Sequence, residues 1–189
     1  MPDILKDGTG SGYLAKVNSS NQLTTFSTSI ATVGTCSILG DVFFIPMLFR
    51  QVSGGTEELA AVVTYTGVRT CIFQLFIVSS QDANTCVATI YGGTTYASGG
   101  YTSSAANLNT SSSKTFPGTI KIQADQLASF VTPSFGSHLF SCALTGYSTF
   151  QLDTRDTLIS RPNLPIGVSI KAQNTNSYVR AYATLYETD

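Results

Sequence analysis

Any chemistry that needs an imidazole must run through His138, the only histidine in the 189 residues. A Ser-His-Asp or Cys-His arrangement needs a nucleophile beside a base, and the base held by a third group. His138 lies in Phe135-Gly136-Ser137-His138-Leu139, between a glycine turn and an apolar stretch, where a hydrogen-bonded strand-end histidine is the expected role. A cupin-type metal site would need two or three histidines and a glutamate, which this chain cannot supply. Its four cysteines, Cys36, Cys71, Cys86 and Cys142, contain no C-x-x-C pair, so a structural zinc site is not expected. Most sit in apolar runs and are expected as buried, reduced thiols. The close carboxylates are Glu57-Glu58 and the pair within Asp153-Thr154-Arg155-Asp156. Retaining glycosidases hold two carboxyls ~5 Å apart, but nothing around these four suggests buried acids. The second group is expected as a polar turn with a local ion pair, and it lacks the EF-hand pattern with its closing glutamate. Gly8-x-Gly10-x-Gly12 has no strand before it, as a dinucleotide-binding loop requires. The expectation is a non-enzymatic protein with no cofactor and no metal.

Composition narrows the class further. Apolar residues make up 42% and charged residues only 11%, against about 25% charged in an ordinary soluble domain. The apolar share supports a sizeable core and argues against disorder. A surface made of Ser, Thr, Asn, Gln and Gly can be covered by a neighbour while few full charges leave water, which suits an assembly component. Net charge is -1, and Lys and Arg are scattered, so no footprint for nucleic acid is expected. No apolar stretch is long enough to span a membrane. The start, Met1-Pro2-Asp3-Ile4-Leu5-Lys6-Asp7, does not read as a secretory signal, so assembly in a reducing cytoplasm is expected.

The elements that would position these residues read as strands. Residues 1–34 form a turn-rich arm, with short strands at Tyr13–Val17 and Gln22–Phe26 around Asn18-Ser19-Ser20-Asn21. They hold too few apolar residues for a core of their own. Residues 35–189 form the body. Strands are predicted over Val42–Phe49, with Pro46 marking an edge or bulge, and over Glu57–Tyr65, Cys71–Val78 and Cys86–Tyr91. Further strands are predicted over Thr119–Gln123, Phe140–Leu144, Thr149–Asp153, Val168–Ala172 and Val179–Tyr186. The last places Val179, Ala181, Ala183 and Leu185 on one face. Gly92–Gly118 is a long polar excursion whose only charge is Lys114. Its length suggests a contact surface, although Gly99-Gly100 could turn a hairpin there. Strands at this spacing predict an all-β, two-sheet jelly-roll sandwich with an extended N-terminal arm.

Asp7-Gly8-Thr9-Gly10-Ser11-Gly12-Tyr13-Leu14-Ala15-Lys16-Val17-Asn18, followed by Asn21-Gln22-Leu23, resembles the N-terminal segment of tailed-phage virion proteins. There a DGTG…AKVN stretch precedes a β-rich body. The stretches 41–48, 164–170 and 178–182 are similar more loosely. The resemblance implies a virion structural protein, such as a capsid decoration (cement) protein assembled in the host cytoplasm. Its partners would be the major capsid protein, other virion proteins and its own copies, as in a trimer. A neck, tail or fibre component, or a carbohydrate- or receptor-binding module, are the alternatives. The expected contact residues are Tyr13, Leu14, Lys16 and Leu23 in the arm, and Tyr96, Tyr101 and Phe116 in the excursion.

Overall fold

The computed structural model describes residues 16–17, 23–24, 36–48, 54–123, 129–160, 162, 164–173 and 177–188. The chain divides into two units, Met1–Thr35 and Cys36–Asp189. In the first, β1 (Lys16–Val17) and β2 (Leu23–Thr24) pair antiparallel, with Lys16 opposite Thr24 and Val17 opposite Leu23.

The second unit opens with a single helical turn at residues 36–39. Its strands are β3 (Val42–Leu48), β4 (Glu57–Tyr65), β5 (Thr70–Ser80), β6 (Cys86–Gly92), β7 (Tyr101–Ser103) and β8 (Ala106–Asn107). They continue with β9 (Gly118–Ile122), β10 (Ser137–Leu144), β11 (Thr149–Ser160), β12 (Ile166–Ala172) and β13 (Val179–Thr188). One sheet has the order β10-β6-β12-β4-β9-β7 and the other β11-β5-β13-β3-β8. The chain changes sheet at each step from β3 to β6, and again at each step from β10 to β13. The last strand lies between β3 and β5. That wrapping makes the body a two-sheet jelly roll.

Inward-facing residues of both sheets form the core, including Phe43, Ile45, Val63, Phe73, Phe76, Val168, Ile170 and Leu185. Val179, Ala181, Ala183 and Leu185 are buried as their alternation predicts, while Tyr186 is buried too, just past a register shift between Thr184 and Leu185. Pro46 lies on β3 beyond Phe43 and Phe44, the two residues that β8 pairs. Its missing N–H therefore costs no ladder bond there. β12 is buried along nearly its whole length, because residues 93–100 and 129–136 fold over the outer face of its sheet. Bridges Thr95–Ser134 and Ser98–Val131 join these two stretches. Phe130 packs on Leu59 and Val62 beneath them. Gly167 is required here, since a Cβ would stand 2.2 Å from Thr94 Oγ1.

Three sequence expectations change. The group Asp153–Asp156 is not a turn: it lies within β11, which runs on to Ser160, at a register shift between Asp153 and Leu158. Gly92–Gly118 is not one irregular loop. Its β7 pairs with β9 and its β8 with β3, so the excursion crosses from the edge of one sheet to the edge of the other. Cys142 is only half-buried, because β10 is an edge strand, while Cys36, Cys71 and Cys86 are buried and all four thiols are free.

Candidate interaction surface

The strand registers bring several connections to one end of the sandwich. The turn before β3, the β4–β5 connection, the excursion around β8 and the β11–β12 connection meet there. The organising residue is Asp41, 1% exposed at the start of β3. Lys114 Nζ donates to its Oδ1 at 2.7 Å, and Arg69 Nη1 lies 3.0 Å from its Oδ2. Burial alone would raise the Asp41 carboxyl. The hydrogen bonds and charges of Lys114 and Arg69 outweigh that and hold it below its ordinary 3.8.

Beside it, Glu187 is 7% exposed. Its N–H donates to Asp41 O at 2.9 Å, and its Oε1 accepts from the buried Tyr65 hydroxyl at 2.6 Å. Burial first, then this bond to a carboxylate, drives the Tyr65 phenol far above its ordinary range. Cys36 Sγ donates to Glu187 O at 3.3 Å. Among the described residues of this centre two carboxylates, Asp41 and Glu187, stand against two cations, Arg69 and Lys114, so their formal charges balance.

The excursion is fastened to this centre by side chains that suit bends. Asn107 Nδ2 donates to Gly40 O at 2.8 Å and to Lys114 O at 3.0 Å. Asn109 Nδ2 donates to Ile38 O at 2.8 Å. Around the neutralised centre, large apolar side chains face solvent: Ile38 at 79%, Leu39 at 54%, Val68 at 99% and Leu108 at 50%. On the β10–β11 side of the same end, Leu139, Ile159 and Leu164 are also close to half exposed. Along that side the two edge strands leave the sandwich open, and farther from this end Phe140 stacks on Phe150 across it at 5.5 Å.

The expected contact residues are scattered rather than gathered. Tyr13 and Leu14 lie outside the described residues. Lys16 and Leu23 stand on opposite strands of the β1–β2 ladder. Tyr96 is half-buried, its ring edge-on to Phe130 at 4.9 Å, so it helps hold the cover over β12. Tyr101 is 49% exposed at the β7 edge. Phe116 is half-buried between the sheets, 5.7 Å from the Phe43 ring and 6.2 Å from Tyr65. Its excursion reads as contact surface, but its ring packs on the core. Sequence reasoning missed Asp41, Arg69, Glu187 and Ile38. The available signal was Lys114, a lone cation in a polar stretch that needed an anion elsewhere.

His138 Nε2 lies 2.7 Å from Ser141 Oγ, and its ring meets Tyr91 edge-on at 5.9 Å. Ser141 also shares a hydrogen bond with Thr89 at 2.9 Å. Glu57 accepts from Tyr91 at 2.8 Å and from Ser169. This row crosses four strands and satisfies the polar groups of the outer face. A serine beside a histidine resembles part of an acyl-transfer triad, but this serine bridges two strands and the glutamate is held by a tyrosine and a serine.

Compared with protein-family models, curated proteins and solved structures, the chain matches none of them.

Proposed function

We propose that this chain is a non-enzymatic structural protein of a tailed-phage virion, a capsid decoration protein that bridges capsid subunits. The observation that carries the reading is the end of the jelly roll where exposed apolar side chains surround the paired charges at Asp41. There Asp41 takes up both Lys114 and Arg69 and Glu187 accepts from Tyr65, while large aliphatic side chains remain in water, an arrangement that favours burial against protein. The DGTG…AKVN resemblance supplies the virion setting, and residues 1–34 serve as the clamp on a neighbouring subunit. Most of the polar chemistry described, from Lys114–Asp41 to His138–Ser141, ties one segment of this chain to another, as a structural role requires.

The test is to locate the protein in a reconstruction of the particle that carries it. Density repeated over the whole head lattice is the expected result. A single ring at the neck or tail would move the assignment to the alternative virion positions. Absence from the particle would overturn the proposal. Deleting residues 1–25 should leave the body folded and abolish attachment to the head.

A further inference from the structure

The apolar residues at the end of the sandwich have two different shapes. On the side of β3 and β8, Ile38, Leu39, Val68 and Leu108 stand out as a ridge, with Val68 99% exposed. On the side of β10 and β11 there is a groove of about 630 Å³, with Leu139, Ile159 and Leu164 in its walls and Gly92, Gly93 and Gly136 along it. The glycines leave backbone where side chains would otherwise fill the space. A Cβ on Gly136 would stand 2.4 Å from Gly92 O, so this close approach tolerates no side chain.

We infer that this end is a self-association surface, in which the ridge of one copy seats in the groove of a second copy and the exchange is reciprocal. Three observations select this occupant. Ridge and groove lie at the same end but on opposite sides of it, so a two-fold axis lying across that end, perpendicular to the strands and to the line joining the two features, turns the two ends face to face and puts each ridge over the partner's groove. The side chains named in both features are uncharged, and the cations nearest the ridge, Arg69 and Lys114, are already paired with Asp41. Among the described residues of this centre, an acidic peptide or a nucleic acid would therefore meet only cations already paired with Asp41, whereas a second copy brings the same uncharged ridge and groove side chains. A second copy also covers both features at once, while an unrelated partner must match a protrusion and a hollow independently. The inference rests on the assembly reading above only in having identical copies meet, and it leaves residues 1–34 for other virion proteins.

The experiment uses the purified full-length chain, with mass followed by sedimentation and light scattering across a concentration series. A species of twice the 20.0 kDa chain mass is expected at high concentration. Val68→Glu with Ile38→Glu on the ridge, and separately Leu164→Glu in the groove, should each weaken pairing by about tenfold or more. The ridge variant's melting temperature should stay near wild type, since Val68 and Ile38 are largely exposed, and the Leu164 variant's should fall only modestly, since Leu164 is close to half exposed. Leu164→Ser serves if Leu164→Glu fails to fold. Mixing the ridge variant with the groove variant keeps one intact ridge-in-groove contact per pair, so mixed dimers should form where neither variant alone dimerises. A wild-type chain that stays monomeric, a dimer indifferent to these substitutions, or a mass of three or more chains would each overturn the inference. None of these outcomes bears on whether the protein sits on a capsid, which the particle reconstruction decides separately.

Discussion

Lys114 Nζ lies 2.7 Å from Asp41 Oδ1, and that contact fastens the excursion between β6 and β9 to the first strand of the jelly roll. Asp41 is almost fully buried while Lys114 is about half exposed, so the two partners carry unequal shares. Removing the carboxylate leaves two cations facing a buried site. Removing the lysine leaves Arg69 still in place. Asp41→Asn should therefore cost about 1–3 kcal/mol, measured by chemical denaturation. Lys114→Met should cost less than ~1 kcal/mol but speed hydrogen exchange across 106–116. Equal losses from both would contradict this division.

The same carboxyl gives a pH signature. Its folded value lies below its ordinary 3.8, so the folded state binds its proton more weakly than the unfolded chain does. Its contribution to stability is complete above that ordinary value and is lost as pH falls through the lower folded value. Denaturation curves between neutrality and strong acid should show wild type losing an increment that Asp41→Asn lacks. Parallel acid profiles for the two proteins would remove Asp41 as the source.

Phe116 separates core from contact surface. Its ring is half-buried against Phe43 and Tyr65, so Phe116→Ala should lower stability by about 1–3 kcal/mol. Tyr101→Ala, at an exposed edge position, should change stability by less than ~0.5 kcal/mol. Leu185→Ala, at a site with no exposure, should cost about 2–4 kcal/mol. Thermal and urea melts rank the three, and a Phe116 variant as stable as wild type would return that ring to the surface.

The cysteines should separate by burial. Burial, then the nearby Glu187 charge, pushes the Cys71 thiol up to about 12. Burial, then Asp82 and Cys142, pushes Cys86 up to about 11. Both stay protonated and unreactive near neutral pH. A thiol reagent on native protein should modify Cys142 first, and all four should titrate in denaturant without reductant. Fewer than four would mean that a disulfide had formed.

Much of the strand framework was legible because its signals are local. Alternation places Val179 to Leu185, Pro46 marks the part of β3 that pairs with β13 but not with β8, and β-branched runs give β4, β5 and β12. Where local signals misled, a long-range partner had intervened. Asp153–Asp156 has the composition of a turn, but pairing with β5 on either side draws it into β11. Gly92–Gly118 has the composition of a loop, but two short pieces of it complete two different sheet edges.

By itself, the sequence determined an all-β body with a charge-poor surface, because hydrophobic period, turn residues and composition are properties of neighbouring residues. Only the tertiary structure decided which charges neutralise one another and which apolar residues stay in water. Asp41 meets Lys114 across 73 positions and Tyr65 meets Glu187 across 122. Pairings over such separations are set by how the two sheets wrap and stack, a choice that no single stretch of chain contains.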